Sequence, residues 1–374
     1  MRSLCIISHT EHYQLADGSI VGLGSTVTEI NQLLDVFDGI THVAMLHDSP
    51  APASALPYVS NSITFVGLPA VGGPTWGDKL QMVIQAPHML KIIHQAIKGA
   101  DYFQFRAPTG MGVFVIPYLM VFGSQKGWFK YAGNWKQKDA PVAYRFQKWL
   151  LERQSRPVTI NGRWPKQPKH CLSYENPCLT QQELDEGQKV VGNKTFSRPF
   201  ELCFVGRLET AKGVDLILEA LASLEDSQRR KITSLHLVGA GSRRTAYQQR
   251  VTVQGLPVTF HGYLSRTEVH DIYKRSHAIL LPSASEGFPK VIAEAMNYGC
   301  VPIVSQVSAI GQYIVDGENG LLMEAVTAQA LKTCLNRFLD LEEAAFKTMA
   351  QHPISFMERF SYPYYNQRLV QDIL

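Results

Sequence analysis

The chain lacks the long apolar runs and the clustered metal ligands that would place it in a membrane or around a metal ion. No run of about 18 or more apolar residues occurs, so a helix that spans a bilayer is excluded. The opening residues 1–8 are apolar but shorter than the apolar region of a signal peptide. The six cysteines include no CxxC pair and the twelve histidines no HExxH, so neither a metal site nor a disulfide framework is predicted. These absences favour a cytoplasmic protein with reduced thiols.

Length and composition predict two globular domains. At 374 residues the chain is too long for one ordinary hydrophobic core, and 45% of its residues are apolar while 18% are charged. The polar, glycine-containing stretch 181–199 is interpreted as a linker between domains. We therefore predict an N-terminal domain over 1–185, a C-terminal domain over 196–355 and a final amphipathic helix over 361–374.

Short apolar strands alternate with helices in both halves of the chain. In the second half, the predicted strands are 202–205, 234–239, 258–260, 278–282 and 301–305. The first half repeats the alternation less regularly. Because this alternation is typical of parallel sheets covered by helices on both faces, the predicted fold class is α/β, with two doubly wound, Rossmann-like domains. Ligands of such sheets bind at the carboxyl ends of the strands, which predicts a site in the cleft between the domains.

The segment 285–296 is the most informative motif. It places Glu286 in a loop and Glu294 inside the helix that follows, with Pro289 in the first turn of that helix. The unpaired N–H groups at a helix start suit an anionic ligand. An ionised carboxylate only accepts hydrogen bonds, which suits sugar or ribose hydroxyls. The motif therefore predicts a nucleotide-sugar site, and a buried structural glutamate is the alternative.

Cations and glycines at other strand ends extend this prediction. Arg207 and Lys212 flank a strand-to-helix loop, where two cations can neutralise a diphosphate leaving group. Gly22 and Gly24 precede a helix, where backbone N–H groups can approach a phosphate. Arg106 ends the fourth predicted strand of the first half. For each feature a structural alternative stays open: surface cations, a structural glycine turn, and an exposed or paired arginine.

In their order along the chain, these residues resemble the retaining nucleotide-sugar glycosyltransferases of the GT-B fold, family 4, also called glycosyl transferases group 1. The matching motifs are Gly206-Arg207-Leu208 with Lys212-Gly213, 237–241, 260–262, 281–283, 286–296 and 316–322. The resemblance implies two Rossmann-like domains that face each other across a cleft, with the final helix crossing back to the N-terminal domain. The N-terminal domain would bind the acceptor and the C-terminal domain the nucleotide sugar. The turn that begins at Gly239 lacks the third glycine of a dinucleotide fingerprint, so NAD is not predicted.

The resemblance also implies a role for each matching residue. The cations Arg207 and Lys212 would hold the donor diphosphate, and Glu286 would hold hydroxyls of the donor sugar. Many members carry a histidine at the end of the fourth strand, and Arg106 is its positional substitute here. The donor-binding positions that the resemblance implies are Gly22, Gly24, Gly239, Tyr263, Leu264, Gly287, Phe288, Pro289 and Glu294; among these, Glu294 would bind the ribose, and Tyr263 with Leu264 would border the base.

The implied activity is the transfer of a sugar, with retention of configuration, from a nucleotide diphosphate donor of the UDP or GDP type to a saccharide acceptor. No metal or other cofactor is implied, because the two cations would neutralise the diphosphate. The acceptor is expected to be lipid-linked, in the synthesis of a bacterial surface polysaccharide or glycolipid. Two alternatives stay open: a non-catalytic partner subunit with the GT-B fold, and a sugar-nucleotide epimerase.

One basic, aromatic segment, 126–169, adds a predicted partner. Residues 126–170 carry eleven Lys/Arg, two Asp/Glu and four of the five tryptophans. Basic residues attract anionic lipids and tryptophans favour the interface, so we predict that the segment docks peripherally on the cytoplasmic face of the inner membrane. The alternative is that the aromatic residues form core and the cations a solvated face. Nothing matches a DNA- or RNA-binding module, so nucleic acid is not a predicted partner.

Overall fold

The computed structural model describes residues 2–73, 75–137, 139–196 and 198–374. The chain forms two compact units. The N-terminal unit contains Met1–Glu175 and Tyr365–Leu374, and the C-terminal unit contains Asn176–Tyr364. The division after Glu175 lies earlier than the domain end predicted at 185.

The N-terminal unit is built on a nine-stranded sheet. Its strands are β1 (Ser3–Gln14), β2 (Ile20–Leu23), β3 (Gly39–His47), β4 (Ala55–Pro57), β5 (Ile63–Pro69), β6 (Tyr102–Ala107), β7 (Lys126–Tyr131), β8 (Val158–Ile160) and β9 (Cys171–Ser173). Seven of them run parallel in the order β5-β3-β1-β6-β7-β8-β9. The short strands β2 and β4 add an antiparallel extension beside the end of β1.

Helices cover both faces of this sheet, and alternation along the strands supplies the core on each face. The helices are α1 (Gly24–Gln32), α2 (Trp76–Lys98), α3 (Gly112–Phe122) and α4 (Val142–Leu151). Cys5 and Ile7 of β1 join one buried cluster, while Leu4 and Ile6, which point the other way, join a second. Leu369, near the end of the chain, packs into that second cluster.

The C-terminal unit has a six-stranded, fully parallel sheet in the order β12-β11-β10-β13-β14-β15. Its strands are β10 (Phe200–Val205), β11 (Ile232–Val238), β12 (Val258–Gly262), β13 (Ala278–Leu281), β14 (Val301–Ser305) and β15 (Leu321–Met323). Its helices are α5 (Gln181–Asn193), α6 (Val214–Ala222), α7 (Asp226–Arg229), α8 (Arg244–Gln254), α9 (Arg266–Arg275), α10 (Lys290–Asn297), α11 (Ala328–Leu339), α12 (Glu343–Ala350) and α13 (Ile354–Glu358). The last helix, α14 (Tyr362–Asp372), begins in this unit and continues into the N-terminal unit.

Both sheets reverse their strand order at one point. In the N-terminal unit the reversal lies between β1 and β6, and in the C-terminal unit it lies between β10 and β13. Open parallel sheets bind ligands outside the carboxyl ends of their strands at this switch point. A ligand site is therefore expected in the loops that follow these four strands.

The predicted linker over 181–199 is wrong for most of its length, because Gln181–Asn193 is the helix α5. Thr180 and Glu183 form a capping box, in which each side chain accepts a hydrogen bond from the other residue's backbone N–H. Gly187 is buried in the helix, and a Cβ there would lie 2.4 Å from the carbonyl oxygen of Asn297. The glycine that suggested flexibility is thus a point of close packing.

Among the helices that the structure describes, none is both long and apolar enough to cross a membrane. In the same residues no group of three or more His, Cys, Asp or Glu side chains is placed to hold a metal ion.

Candidate functional site

The loops at the switch point of the C-terminal unit are joined by a short ion pair. Lys212 lies in the loop after β10 and Glu286 in the loop after β13. The Nζ of Lys212 is 2.5 Å from the Oε1 of Glu286, and their side chains are 26% and 9% exposed. A backbone hydrogen bond of 3.1 Å from the N–H of Ala284 to the carbonyl of Ala211 ties the same two loops. A cation and a carboxylate predicted from separate motifs therefore meet in one place.

Gly213 lets these loops approach each other. Its φ is +80°, in the left-handed region, and a Cβ there would lie 2.4 Å from the carbonyl oxygen of Pro282. Any other residue would combine backbone strain with a clash against main-chain atoms. Because Lys212 is the residue before this glycine, the close approach also sets the position of its side chain.

Gly239 packs the loop after β11 against the loop after β10. Its φ is +130°, and a Cβ there would lie 2.0 Å from the carbonyl oxygen of Gly206. The N–H of Leu208 donates a 2.9 Å hydrogen bond to the carbonyl of Ala240. Three adjacent loops at the carboxyl edge are thus held as one block. The close packing by itself explains why a glycine is needed at position 239, and its donor role stays a prediction.

Arg207 lies at the outside of this block. Its guanidinium is 3.3 Å from Glu209, and its side chain is 73% exposed. Lys212 is therefore the more enclosed of the two predicted cations, whereas the Arg207 side chain extends largely into solvent beside Glu209.

The start of α10 presents a helix N-terminus to the same edge. Pro289 is its N-cap, one position earlier than the predicted first turn, and the helix begins at Lys290. The first turn contains no acidic residue, so its N–H groups and dipole favour an anion. Phe288 is buried against Tyr313 and Phe360 at centroid distances of 4.7 and 5.1 Å. This packing anchors the backbone of the predicted donor-binding segment Gly287–Pro289.

Glu294 lies within α10 and is held by Arg266, whose side chain is 34% exposed. Its Oε1 is 3.1 Å from Arg266 of α9, and its Oε2 accepts a 3.4 Å hydrogen bond from the Tyr273 hydroxyl. Arg266 also contacts Glu183 of α5 at 2.7 Å. Burial opposes the charge on Arg266, but hydrogen bonding to Glu183 and the charge of Glu294 raise its pKa above the usual value. Since a carboxylate has about four acceptor positions, Glu294 keeps capacity for a ribose hydroxyl.

Neither Arg266 nor Glu183 is among the site residues predicted from the sequence. The Thr180-x-x-Glu183 spacing is a visible capping-box signal, whereas nothing near Arg266 in the sequence indicates its two partners. Tyr263 and Leu264, the predicted neighbours of the base, directly follow β12. Tyr263 is 42% exposed, while Leu264 packs on a buried cluster.

The family comparison matches this same part of the chain. Residues 188–351 match the model of the family described as glycosyl transferases group 1. The chain carries a glycosyl transferases group 1 domain. The predicted donor loops after β10, β11, β12 and β13 all lie inside that domain.

Curated relatives match the group 1 domain at modest identity. An uncharacterized glycosyltransferase of Methanocaldococcus jannaschii is 28% identical over 160 residues, which are 42% of this chain and 43% of that protein. A glycogen synthase of Mycobacterium tuberculosis is 30% identical over 152 residues, 39% of this chain and 36% of that protein. The matched stretches thus span less than half the length of these relatives.

Solved structures match nearly the whole chain. A sucrose-phosphate synthase from Thermosynechococcus elongatus has a TM-score of 0.72 at 17% identity, covering 99% of this chain and 98% of that one. The Anabaena protein HepE in complex with UDP has a TM-score of 0.67 at 16% identity, covering 99% of both chains. The fold is therefore the GT-B fold with two Rossmann-like units, as the sequence predicted.

In the N-terminal unit, Gly22 and Gly24 are already engaged within the protein. Gly22 lies in β2, paired with His12 of β1 on one side and with β4 on the other, and a Cβ there would lie 2.3 Å from the His12 ring. The N–H of Gly24 donates a 3.0 Å hydrogen bond to the carbonyl of Ser54. Close packing within the protein thus explains both glycines, and their contact with a phosphate stays a prediction.

Arg106 is part of a buried ion cluster. Its guanidinium lies 3.0 Å from Glu29 and donates a 2.8 Å hydrogen bond to Gln104. Lys130 of the neighbouring strand lies 2.5 Å from the same oxygen of Glu29. The Arg106 side chain is 12% exposed and that of Glu29 is 5% exposed. These contacts favour the paired-arginine alternative over a catalytic role.

A histidine does reach the carboxyl edge of this sheet, from β1 rather than from β6. His9 lies where β1 bulges between Ile7 and Glu11. Its ring would be 3.2 Å from a Cβ on Gly72, in the loop after β5. Burial, followed by the neighbouring His47, lowers the pKa of His9, so its ring is neutral near pH 7. Its Nδ1 is buried and has no hydrogen-bond partner among the described residues.

The basic, aromatic segment divides into a buried and an exposed part. Trp128, Phe129, Tyr131 and Trp135 are between 0% and 3% exposed, so for the strand β7 and the loop after it the core alternative is correct. Helix α4 instead exposes apolar side chains, including Val142 at 78%. The exposed large apolar side chains that the structure describes in this segment, Val142, Phe146 and Trp149, thus all lie on α4.

Proposed function

We propose that the protein is a retaining glycosyltransferase that transfers a sugar from a nucleotide diphosphate to a saccharide acceptor. The observation that carries the proposal is the ion pair between Lys212 and Glu286 at the switch point of the C-terminal sheet. The group 1 domain match and the GT-B fold support it.

In this proposal Arg207 and Lys212 bind the donor diphosphate and stabilise the negative charge that develops as it leaves. Fixed cations aimed at a developing charge are usually among the largest contributions to catalysis. Because Lys212 is held by Glu286 before the donor binds, the lysine is positioned in advance. The N–H groups at the start of α10 add a second positive end for the phosphates.

Glu286 and the backbone of Gly287 and Phe288 hold the hydroxyls of the donor sugar. The carboxylate can accept from two hydroxyls while one oxygen stays close to Lys212. Burial of the Phe288 ring keeps this segment rigid, which is what a geometric recognition of hydroxyls requires.

For the nucleotide, we propose that Glu294 accepts from the ribose and that Tyr263 and Leu264 border the base. Structures of HepE are described with UDP and with UDP-glucose. UDP is therefore the first nucleotide to test, with GDP as the second.

Retention and independence from metal are proposed from the resemblance of the motifs, with Arg207 and Lys212 in the place of a divalent cation. The anomeric proton of the first-formed product, observed by NMR, reports retention or inversion. EDTA should leave the transfer rate unchanged, and restoration of a lost rate by added magnesium or manganese would contradict this part.

We further propose that the acceptor is lipid-linked and that α4 rests on an anionic membrane surface, on the cytoplasmic face of the inner membrane. The helix exposes Val142 and Phe146 together with Arg145. Sedimentation with vesicles of phosphatidylglycerol and phosphatidylcholine tests this, with a Val142→Ser, Phe146→Ser variant as the control. Equal sedimentation of both proteins would exclude α4 as the contact.

The central test is a thermal-shift screen with UDP, GDP, ADP and CMP, each with and without EDTA. A ligand at about 100 times its Kd adds about 2.7 kcal/mol to stability, which gives a measurable rise in Tm. We expect one diphosphate to raise the Tm and EDTA to leave that rise unchanged. No rise with any of the four nucleotides would contradict the proposed function.

A further inference from the structure

Three helices of the N-terminal unit, α2, α3 and α4, cover the same face of its sheet. Buried side chains of all three belong to one cluster, whereas α1 and α14 pack into the cluster on the opposite face. A hydrogen bond between the His94 ring and the Tyr118 hydroxyl joins α2 to α3. Gln147 of α4 donates a 2.7 Å hydrogen bond to the carbonyl of Thr109, just before α3. The outer sides of these helices therefore form one layer, which we call the three-helix face.

The three-helix face concentrates exposed apolar side chains. Half of the large apolar side chains that are exposed among the described residues lie on these helices, although the helices are less than an eighth of the chain. On α2 alone, Trp76 is 85%, Leu80 62%, Val83 66% and Ile84 67% exposed. Single exposed apolar residues are ordinary, but a concentration of this kind marks an interaction surface.

Helix α2 has a second apolar side that the core does not need. Its inner side packs on the sheet through the buried residues Met82, Met89, Ile93 and Ile97. One such stripe is enough to hold a helix on a sheet. The exposed residues at 76, 80, 83 and 84 have the spacing of another stripe, which points away from that core. This outer stripe therefore needs a partner outside the unit.

The charged groups on the three-helix face are mostly positive. The three helices contain five Lys and Arg residues and one carboxylate, Asp78. That carboxylate accepts hydrogen bonds from Thr75 in the capping box of α2. Just beyond α4, Glu152 lies 3.8 Å from Lys148, while Arg153 adds a further cation. The face therefore keeps a positive net charge.

Both exposed tryptophans of the face have a cation against the ring. The Nζ of Lys79 is 4.8 Å from the centroid of Trp76, and the guanidinium carbon of Arg153 is 4.8 Å from the centroid of Trp149. Tryptophan is favoured at the level of the lipid headgroups, where its ring meets the acyl boundary, and a neighbouring cation can meet a lipid phosphate. The two pairs thus suit the boundary between water and lipid.

The charge of the face distinguishes between its possible partners. A second copy of the chain in a two-fold dimer would use the same patch and would bring cations against cations. An anionic lipid surface offers apolar area and negative charge together.

We propose that the three-helix face docks on an anionic membrane surface, with the first half of α2 as its principal apolar contact. This inference rests on the membrane part of the proposed function, which assigns α4 alone, and extends it to residues outside the basic segment 126–169.

This docking brings the ligand edge of the N-terminal sheet to the lipid. Helix α2 follows the carboxyl end of β5, so its first turns lie at the carboxyl edge of the sheet. Ligands of parallel sheets bind at that edge. A lipid-linked acceptor would therefore meet the protein with its lipid still in the bilayer.

The test is sedimentation of the full chain with vesicles of equimolar phosphatidylglycerol and phosphatidylcholine, and with vesicles of phosphatidylcholine alone. The Val83→Ser, Ile84→Ser variant removes two side chains of the outer stripe. The matched control is Val253→Ser, Ile354→Ser, because these are the same residue types at exposed positions of the C-terminal unit, 86% and 49% exposed. We expect the α2 variant to need about 10-fold more anionic lipid than wild type for half-maximal binding, and the control to match wild type.

Binding to phosphatidylcholine alone should be weaker than to the anionic vesicles, and equal binding to both would overturn the role of the cations. Equal binding by wild type and the α2 variant would overturn α2 as the contact. No binding to either vesicle would overturn the membrane surface and leave a protein partner. A dimer in sedimentation velocity that the α2 variant disrupts would assign the face to a second copy instead.

The UDP thermal shift separates these outcomes from failure of the proposed transferase, and an unchanged Tm without ligand shows that each variant is folded. A normal UDP shift without vesicle binding refutes the docking surface alone. Vesicle binding that depends on Val83 and Ile84, without a shift by any nucleotide, refutes the transferase and retains the docking surface.

Discussion

Gly213 and Pro282 approach so closely that a Cβ on the glycine would lie 2.4 Å from the proline carbonyl oxygen. This contact joins the loops after β10 and β13, on the two sides of the switch point in the C-terminal sheet. The same two loops carry Lys212 and Glu286, whose charged groups are 2.5 Å apart. The glycine therefore contributes to the proposed site through its missing side chain.

Gly213→Ala should lower both stability and nucleotide affinity. The left-handed backbone costs an alanine about 1–2 kcal/mol, and the clash with Pro282 adds to that. Gly255→Ala is the matched control, because Gly255 has a φ of +59° with nothing within 4 Å of its Cβ position. Urea denaturation and UDP thermal shifts on both variants separate strain from clash. Equal losses of stability, with full UDP affinity in both, would show that the approach to Pro282 is not needed.

Substitutions of Lys212 and of Glu286 should have different effects on UDP affinity and on the transfer rate. Lys212→Met removes a charge-assisted contact to the diphosphate, so UDP affinity should fall by about 10-fold or more. Glu286→Gln keeps an amide oxygen that can hold Lys212 but loses the carboxylate proposed to hold the sugar hydroxyls, so UDP affinity should change little while transfer falls about 100- to 1,000-fold. Calorimetry with UDP and a transfer assay measure the two effects. Glu209→Gln changes only the exposed partner of Arg207 and should leave transfer near the wild-type rate.

Modified nucleotides can test whether Glu294 binds the ribose. The two analogues 2′-deoxy-UDP and 3′-deoxy-UDP each lack one ribose hydroxyl. Wild type should bind UDP more tightly than the analogue that lacks the hydroxyl from which the carboxylate accepts a hydrogen bond. A hydrogen bond to a charged group contributes about 1.5–3 kcal/mol, or about 10- to 100-fold in Kd. Glu294→Gln should reduce that discrimination and keep a hydrogen bond to Arg266 through its amide oxygen. Discrimination that is the same in both proteins would assign the ribose to another residue.

The regular part of this fold could be predicted from local patterns. Each strand predicted between 202 and 305 is present, because short apolar runs bounded by turns are a local signal for buried parallel strands. Lys212 and Glu286 could be predicted for the same reason, since each belongs to a loop motif that is recognisable without its partner. That the two form an ion pair depends on the order of β10 and β13, which only the fold supplies.

The wrong predictions rest on composition, whereas the structure depends on local geometry and tertiary contacts. The polar residues of the stretch 181–199 predict a linker, although Thr180 and Glu183 have the spacing of a capping box. The aromatic residues of β7 alternate with cations, which predicts a membrane surface, yet Lys130 is buried against Glu29, which lies far away in the sequence. Burial of a cation by a distant carboxylate has no local signal.

Replacement of Arg106 should decide between structure and catalysis. Arg106→Met leaves Glu29 with Lys130 in a buried site, and breaking a buried pair is typically destabilising by about 3–5 kcal/mol. All five tryptophans belong to the N-terminal unit, so their fluorescence reports its unfolding. We expect a lower urea midpoint and nearly unchanged transfer by the molecules that remain folded. Unchanged stability together with lost transfer would restore the catalytic role.

The pH dependence of stability should reveal the buried His12. Its Nδ1 lies 3.1 Å from the carbonyl of Thr10, which can only accept, so the ring proton is on Nδ1 and Nε2 accepts from the Tyr58 hydroxyl at 2.9 Å. Burial lowers the pKa of His12 to about 4, with the Thr10 carbonyl opposing this and His47 adding to it. Between about pH 6.5 and pH 4, the unfolded chain therefore binds a proton that the folded chain does not.

Stability from this group is thus fully present above about pH 6.5 and is lost as the pH falls toward 4, by about 3 kcal/mol in total. His12→Gln cannot titrate, so the gap in unfolding free energy between wild type and variant should be largest at pH 7 and shrink by about 2–3 kcal/mol at pH 4.5. Urea denaturation followed by tryptophan fluorescence measures this gap in the N-terminal unit. The pKa of His42 is also lowered, by burial, followed by the charges of His12 and Arg106, so the difference between the two proteins contains the coupling of His42 to His12. A gap that stays constant from pH 7 to 4.5 would mean that His12 titrates alike in the folded and unfolded chain, and would contradict its burial as a neutral acceptor for Tyr58.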